Sequence, residues 1–135
     1  MNIDLIQLIK SALIHARCGD RLTEELDPHA PIELHFGSAP IMRVARTDDD
    51  AVQLLSRLSE QPGIPGGCNA IGLLEALSAP APWASHHGLS LLDMDGYLCL
   101  QAIVDAQFLQ DGEAFSVALA AFYDRLVVIH RAFNG

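Results

Sequence analysis

Cysteine and histidine side chains are the first candidates for chemistry in this chain, because they can act as nucleophiles, proton carriers or metal ligands. Cys68 lies in a loop rich in Gly and Pro, and His86 and His87 are adjacent in a later loop. No second Cys or His stands at ligand spacing from Cys68, and no catalytic signature surrounds it. We therefore expect no catalytic residue and no metal site, and a small Cys/His-dependent enzyme is kept as an alternative hypothesis.

Two further segments have the composition of ligand loops without their spacing. Residues 63–67 read GIPGG, but no Lys-Ser/Thr follows and the G-x-G-x-x-G pattern of a dinucleotide loop is missing. Residues 48–50 are three successive Asp, without the spaced Glu and Gly of a calcium loop. The sequence therefore predicts a plain loop and a solvated turn, with no bound cofactor.

The overall charge narrows the possible partners. The chain has 135 residues with 17 acidic and 8 basic side chains, which gives a formal charge of −9. Nucleic acids and anionic membrane surfaces are bound mainly through Lys and Arg, so neither is expected as a partner. No apolar run approaches the roughly 18 residues of a membrane span, and MNIDLIQLIK lacks the basic start of a secretory signal. We expect one cytoplasmic domain over residues 1–135, with reduced thiols.

Five segments have the hydrophobic pattern of strands. Apolar residues alternate over 32–36, 41–46 and 52–58, and the short connections between these segments predict an antiparallel three-strand meander. Segments 89–92 and 97–106 flank Asp93-Met94-Asp95-Gly96, whose Asp-Gly pair is typical of a hairpin turn. These segments predict two sheet regions, each built from antiparallel neighbours.

Three segments have the pattern of helices. They are residues 3–17 after a possible cap at Asn2, residues 70–79 after Asn69, and residues from Asp111 to about Phe133. The predicted fold is α+β, with the order α-β-β-β-α-β-β-α and an antiparallel sheet covered by helices.

Half of the residues are hydrophobic, which exceeds what one small core needs. The alternation suggests that Met42, Val44 and Leu55 lie on a second, partly apolar face of the sheet. The first helix also has an apolar arc wider than the stripe needed to cover a sheet. We expect these surfaces to bind a partner or another copy of the chain.

Three stretches together resemble a known family. They are PIELHFGSAPIMRVARTDDDAVQLLSRLSEQP, NAIGLLEAL and LSLLDMDGYLCLQAIV. With the element order and the acidic charge, they resemble class I type III secretion chaperones, small bacterial proteins that hold effectors for export. The resemblance implies a homodimeric cytoplasmic chaperone that binds the N-terminal region of an effector in extended form and keeps it soluble. The alternative is a protein-binding α+β module of similar topology without a link to secretion.

The resemblance also implies which residues meet each partner. For the effector, it indicates side chains of the first helix and the sheet, with strand addition at a sheet edge: Ile3, Ile6, Leu13, Ile14, Met42, Val44 and Leu55. For the two-fold dimer interface, it indicates the middle helix and the segment that follows it: Leu73, Leu74, Leu77, Trp83, Leu89 and Leu91.

Overall fold

A computed structural model describes residues 4–15, 32–36, 40–85 and 88–135 of the chain. Within this part, three α-helices and five strands occur in the predicted order, and one short 3-10 helix that the sequence did not predict precedes the last helix. The elements are α1 (Leu5–His15), β1 (Ile32–Leu34), β2 (Met42–Arg46), β3 (Val52–Arg57), α2 (Ala70–Ser78), β4 (Ser90–Met94), β5 (Tyr97–Ile103), the 3-10 helix (Ala106–Leu109) and α3 (Gly112–Asn134).

The described strands form one antiparallel sheet in the order β1-β2-β3-β5-β4. The meander of β1, β2 and β3 confirms the prediction, as does the hairpin of β4 and β5. Asp95 and Gly96 have φ angles of 57° and 89°, the two positive values that a tight hairpin turn of this kind requires. Because β5 pairs with β3, the hairpin extends the meander and β4 lies at an edge.

One face of the sheet packs against α1 and α3. The pairing places Val44 beside both Ile32 and Leu54, and all three point toward the helices. The buried side chains of this core share one cluster, which includes Leu34, Met42, Val52, Leu100 and Ala102 from the sheet, Leu5, Ile9, Ala12 and Leu13 from α1, and Phe115, Phe122, Leu126, Ile129 and Phe133 from α3. This cluster accounts for the predicted apolar stripe of the last helix.

Polar side chains begin each helix. The Asn69 side chain accepts a hydrogen bond from the Gly72 backbone N–H at 3.0 Å, and Asp111 accepts one from Ala114 at 2.8 Å. These two caps confirm the predicted helix starts. Asn2 lies outside the described residues, and α1 begins after Asp4, whose side chain accepts from the Gln7 N–H.

Arg125 of α3 fixes the C-terminal end of α2. Its guanidinium donates hydrogen bonds of 2.8, 2.9 and 2.9 Å to the carbonyl oxygens of Ala76, Ala79 and Pro80. The last carbonyls of a helix have no partner within the helix, and a cation stabilises them. Arg125 therefore positions α2 and the loop that follows it against α3.

Among the described helices, none has both the length and the apolar character that crossing a bilayer requires.

We expect the substitution Gly112→Ala to lower the free energy of unfolding by about 1–3 kcal/mol, the usual cost of overpacking. A Cβ at Gly112 would overlap the Ser11 side chain and lie 2.8 Å from the Ser11 carbonyl carbon. Part of that overlap is with backbone, so shortening Ser11 would not relieve it. Urea denaturation measures the change, and Gly66→Ala is the matched control because a Cβ there has no neighbour within 4 Å. Equal stability of the two variants would contradict the close packing of α1 on α3.

We expect Arg125→Met to destabilise the protein by about 2 kcal/mol, because three charged hydrogen bonds are lost while most of the packing of the side chain is kept. The loss of stability is expected to be largest in α2. Relative to the wild type, hydrogen exchange in Arg125→Met is therefore expected to accelerate more for the backbone amides of α2 than for those of the sheet. Hydrogen exchange read by mass spectrometry measures this. Arg131→Met is the control, since Arg131 is exposed on the last turn of the same helix. Unchanged protection of α2 in Arg125→Met would contradict the role assigned to Arg125.

Candidate functional site

The sheet face that points away from the core is the principal candidate surface, and we call it the open face. Its residues follow from the strand register: Glu33, Arg43, Ala45, Gln53, Leu55, Arg57, Ser90, Leu92, Met94, Tyr97, Cys99, Gln101 and Ile103. Apolar, cationic and amide side chains alternate on it. The open face therefore has the mixed character of a binding surface more than that of a plain solvated surface.

A groove of about 610 Å³ lies on the open face and continues past the end of β3 to His130 of α3. Its floor consists of Leu55 and Cys99, which are only 9% and 5% exposed. Its sides include Ile41 and Met94, which are 43% and 44% exposed. The groove is therefore apolar at its base and has accessible apolar side chains at its rim.

Two arginines stand over this floor. The Arg57 guanidinium lies 4.1 Å from the centre of the Tyr97 ring, a cation–π contact. Arg43 pairs with Glu33 at 3.4 Å, with both side chains about half exposed. No carboxylate among the described residues lies within 4.0 Å of the Arg57 guanidinium. Arg57 thus presents a positive charge that the fold holds in place and leaves without an acidic partner there.

Burial shifts the pKa of two further groups that line the groove. Burial raises the pKa of the Cys99 thiol, with Asp93 adding to the rise, while the charges of Arg57 and Arg43 partly oppose it. Burial lowers the pKa of His130, which favours the neutral imidazole. A thiol with a raised pKa is a poor nucleophile, so Cys99 serves as apolar floor.

The residues predicted to bind an effector differ in accessibility: three of them have exposed area or line the groove, and three others are buried in the core. Ile14 is 69% exposed, Ile6 is half-buried, and Leu55 lies at the base of the groove. Ile3 lies outside the described residues. The prediction for these residues stays a prediction.

The expectation that Met42 and Val44 share an accessible face with Leu55 is wrong. Met42 pairs with Leu34, and Val44 pairs with Leu54, which places both side chains in the core with no exposed area. Side chains alternate along a strand, so Arg43 between them is the residue that β2 presents to the open face. Leu13 is likewise 1% exposed, because it faces the core from α1.

The residues predicted at the dimer interface also differ in accessibility. Leu74 is 62% exposed on α2, beside Ile71 at 73%. Leu77, Leu89 and Leu91 are partly buried against the core. Leu73 and Trp83 are buried, and the Trp83 ring packs edge to face on Phe122 with 6.1 Å between the ring centres. Trp83 therefore supports this region from within, and α2 presents mainly Ile71 and Leu74.

The candidates for chemistry that lie within the described residues do not assemble into a site. Cys68 is partly buried in its loop, and His86 and His87 lie outside the described residues. Asp48–Asp50 form a hairpin turn, with the Asp50 N–H bonded to the Thr47 carbonyl and a φ of 62° at Asp50. Among residues 4–15, 32–36, 40–85 and 88–135, no group of three His, Cys, Asp or Glu is arranged to hold a metal ion.

Sequence reasoning missed the pair of Arg57 and Tyr97. The two-residue alternation of β3 by itself puts Arg57 on the face opposite Val52 and Leu54, and the strand pairing agrees. The partner was not predictable in this way, because Tyr97 reaches Arg57 only through the pairing of β5 with β3, 40 residues later in the chain.

No family model matches the sequence. Individual proteins do match it over almost the entire chain, both in sequence and in structure. The surface presentation of antigens protein SpaK of Salmonella typhimurium is 31% identical over 131 residues, which are 97% of this chain and 96% of SpaK, and SpaK of Salmonella typhi matches to the same extent.

Solved structures show the same fold. A chain of the heterodimeric ExoU–SpcU complex from the type III secretion system of Pseudomonas aeruginosa has a TM-score of 0.56 and 24% identity, over 93% of this chain and 94% of the other. The Yersinia pestis type III secretion chaperone SycH, in complex with a stable fragment of YscM2, gives a TM-score of 0.58 and 14% identity, over 90% and 96% of the chains. At identities this low, the structural matches show a shared fold. SpaK is similar to this chain in sequence over nearly its full length, which shows common descent. The chain belongs to the family of class I type III secretion chaperones.

Proposed function

We propose that this protein is a homodimeric cytoplasmic chaperone that binds the N-terminal region of a type III secreted effector in extended form and keeps it secretion-competent. The observation that carries the proposal is accessible apolar surface at separate places on one small domain. Ile14 of α1, Ile71 and Leu74 of α2, and the rim of the groove are each at least 40% exposed. Ile71 and Leu74 are three positions apart on one helix, and Ile41 and Met94 line the same groove, so each pair forms a local apolar patch. Exposed apolar patches mark sites of contact with other chains.

The related structures support this use of the fold. One contains the heterodimeric complex of ExoU with SpcU, and the other contains SycH with a stable fragment of YscM2. In each case the solved assembly includes a second polypeptide. A protein with the same architecture and with exposed apolar surface is suited to the same kind of task.

An extended segment fits the physical character of these surfaces. Apolar patches on α1 and the open face can accept side chains of a chain that has not folded, and the outer edges of β1 and β4 can offer backbone hydrogen bonds. Ordering such a segment costs several kcal/mol, so many weak contacts along it are needed. A dimer doubles the surface that one segment can follow.

The proposed dimer places α2 at a two-fold axis. We expect Leu74→Glu to raise the dimer dissociation constant at least about a hundredfold. Each of the two symmetric copies loses an apolar contact worth about 1.5 kcal/mol or more, and hundredfold corresponds to about 2.7 kcal/mol. Analytical ultracentrifugation over a range of concentrations measures the change.

Val117→Glu is the matched control for this substitution. Val117 is an exposed aliphatic residue at 53%, but it lies on α3. The control variant is expected to remain dimeric, and circular dichroism verifies that both variants fold. A monomeric wild-type protein, or a dimer insensitive to Leu74→Glu, would remove the dimer from the proposal.

The chaperone activity is tested by co-expression with each effector encoded in the same genome. We expect at least one N-terminal effector region to co-purify with the chaperone and to become resistant to aggregation, while the remainder of that effector does not bind. Ile14→Glu is expected to weaken the complex about tenfold or more, since it places a charge on exposed apolar surface of α1.

Val117→Glu serves again as control and leaves effector binding unchanged. If no encoded effector forms a complex, the protein is better described as a binding module of similar topology without a role in secretion. If an effector binds through its C-terminal part alone, the choice of segment is wrong.

A further inference from the structure

The groove on the open face has a chemical character that apolar binding alone does not require. Its floor is Leu55 and Cys99, yet the cationic side chain of Arg57 also lines it, stacked on the Tyr97 ring. Leu55 and Arg57 are two positions apart on β3, so their side chains leave the same face about 6.6 Å from each other. An apolar contact point and a positive charge therefore lie side by side.

The fold holds the Arg57 charge in one place. The guanidinium stacks on Tyr97 at 4.1 Å, which restricts a side chain that otherwise has many rotamers. Arg43 lies on the same face, diagonal to Arg57 across the pair of β2 and β3, where such neighbours are about 7–8 Å apart. Glu33 already pairs with Arg43 at 3.4 Å, whereas no described carboxylate comes within 4.0 Å of Arg57. The free capacity for an anion is thus at Arg57.

We infer that the groove recognises an extended peptide segment that presents an Asp or Glu side chain to Arg57 and an apolar side chain, two positions away, to Leu55. An extended chain separates such side chains by about 6.6 Å, which equals their separation on β3. Arginine binds a carboxylate through two parallel hydrogen bonds, and partial burial strengthens them. The inference rests on the proposed function, because it names the side chains that the bound effector segment carries.

Charge complementarity favours a segment with one acidic residue, placed at Arg57, over a second copy of the chain. A second copy has a formal charge of −9 and is repelled as a whole, and Glu60 and Asp95 near the end of the groove oppose further acidic residues on the segment. A purely apolar segment would leave the Arg57 charge covered and without a partner, which is unfavourable. A basic segment would meet Arg57 directly and would be repelled. An acidic residue flanked by apolar ones satisfies both features of the groove.

The test uses three synthetic peptides that differ at one central position: STLSESLTS, STLSQSLTS and STLSRSLTS. In an extended conformation the central residue and the two Leu side chains lie on one side. Binding to the full-length protein is followed by two-dimensional NMR. We expect the Glu peptide to bind about tenfold more tightly than the Gln peptide, to shift the Arg57 Nε–H and Leu55 methyl resonances, and to lose this preference at high salt.

Variants of Arg57 assign the preference to this side chain. Arg57→Gln is expected to bind the Glu and Gln peptides equally, and Arg57→Glu is expected to prefer the Arg peptide. Arg131→Gln removes one positive charge from an exposed site on α3 and is expected to keep the wild-type preference. Unfolding curves verify that each variant is folded.

Several results would overturn the inference. They are equal binding of the Glu and Gln peptides by the wild type, a Glu preference that survives in Arg57→Gln, and no binding of the Glu peptide at millimolar concentration. If Arg57→Glu changes the oligomeric state of the protein in the absence of peptide, a second copy covers the groove. An effector that co-purifies equally with wild type and Arg57→Glu refutes this inference alone, whereas failure of all effectors to bind refutes the proposed function.

Discussion

The central strand β3 is apolar on both sides, and the rest of the structure follows from that constraint. Leu54 points to the core and Leu55 to the open face, and both are less than 10% exposed. Side chains of neighbouring strand residues leave opposite faces, so one layer of helices cannot cover both leucines. Helices α1 and α3 pack on the first face. On the second face Leu55 lies at the base of the groove, which Arg43 and Arg57 also line, so the described residues leave this face only partly covered. A chain that binds an unfolded partner needs such an incompletely covered surface, while the completed core on the other side keeps the domain folded.

The excursion from β3 to β4 determines what the groove contains. After β3 the chain forms α2, and the hairpin of β4 and β5 then joins the sheet with β5 against β3. This arrangement brings Tyr97 and Cys99 beside Leu55 and Arg57. Arg125 holds the end of α2 through three carbonyl groups, and Trp83 packs on Phe122, so α3 anchors the excursion at two points. The same anchors present Ile71 and Leu74 of α2 to the outside. The accessible surface of α2 and the composition of the groove therefore depend on one connection.

Charge is distributed unevenly over the open face. A strongly acidic chain repels acidic partners at long range, but salt reduces that effect beyond about 8 Å at physiological ionic strength. At short range, the individual charges next to a bound side chain determine whether it is attracted or repelled. Glu33 neutralises Arg43, and the Tyr97 ring holds Arg57 without neutralising it. Burial raises the pKa of the Cys99 thiol and lowers the pKa of His130, which favours the uncharged form of both groups. Glu60 and Asp95 line the groove near its end, while Arg57 lies beside the apolar floor with no described carboxylate within 4.0 Å.

The sequence by itself determined the order of the elements, the caps at Asn69 and Asp111, the Asp-Gly hairpin turn and the family resemblance, because each depends on neighbours within a few residues. It also placed Leu54 and Arg57 on opposite faces through the two-residue period of β3. It could not determine which face of β2 the helices cover, so Met42 and Val44 were placed on the partner surface although the register puts them in the core. Nor could it pair Arg57 with Tyr97 or Arg125 with the end of α2. Those contacts join residues 40 or more positions apart, and only the packing of the complete sheet against its helices brings them together.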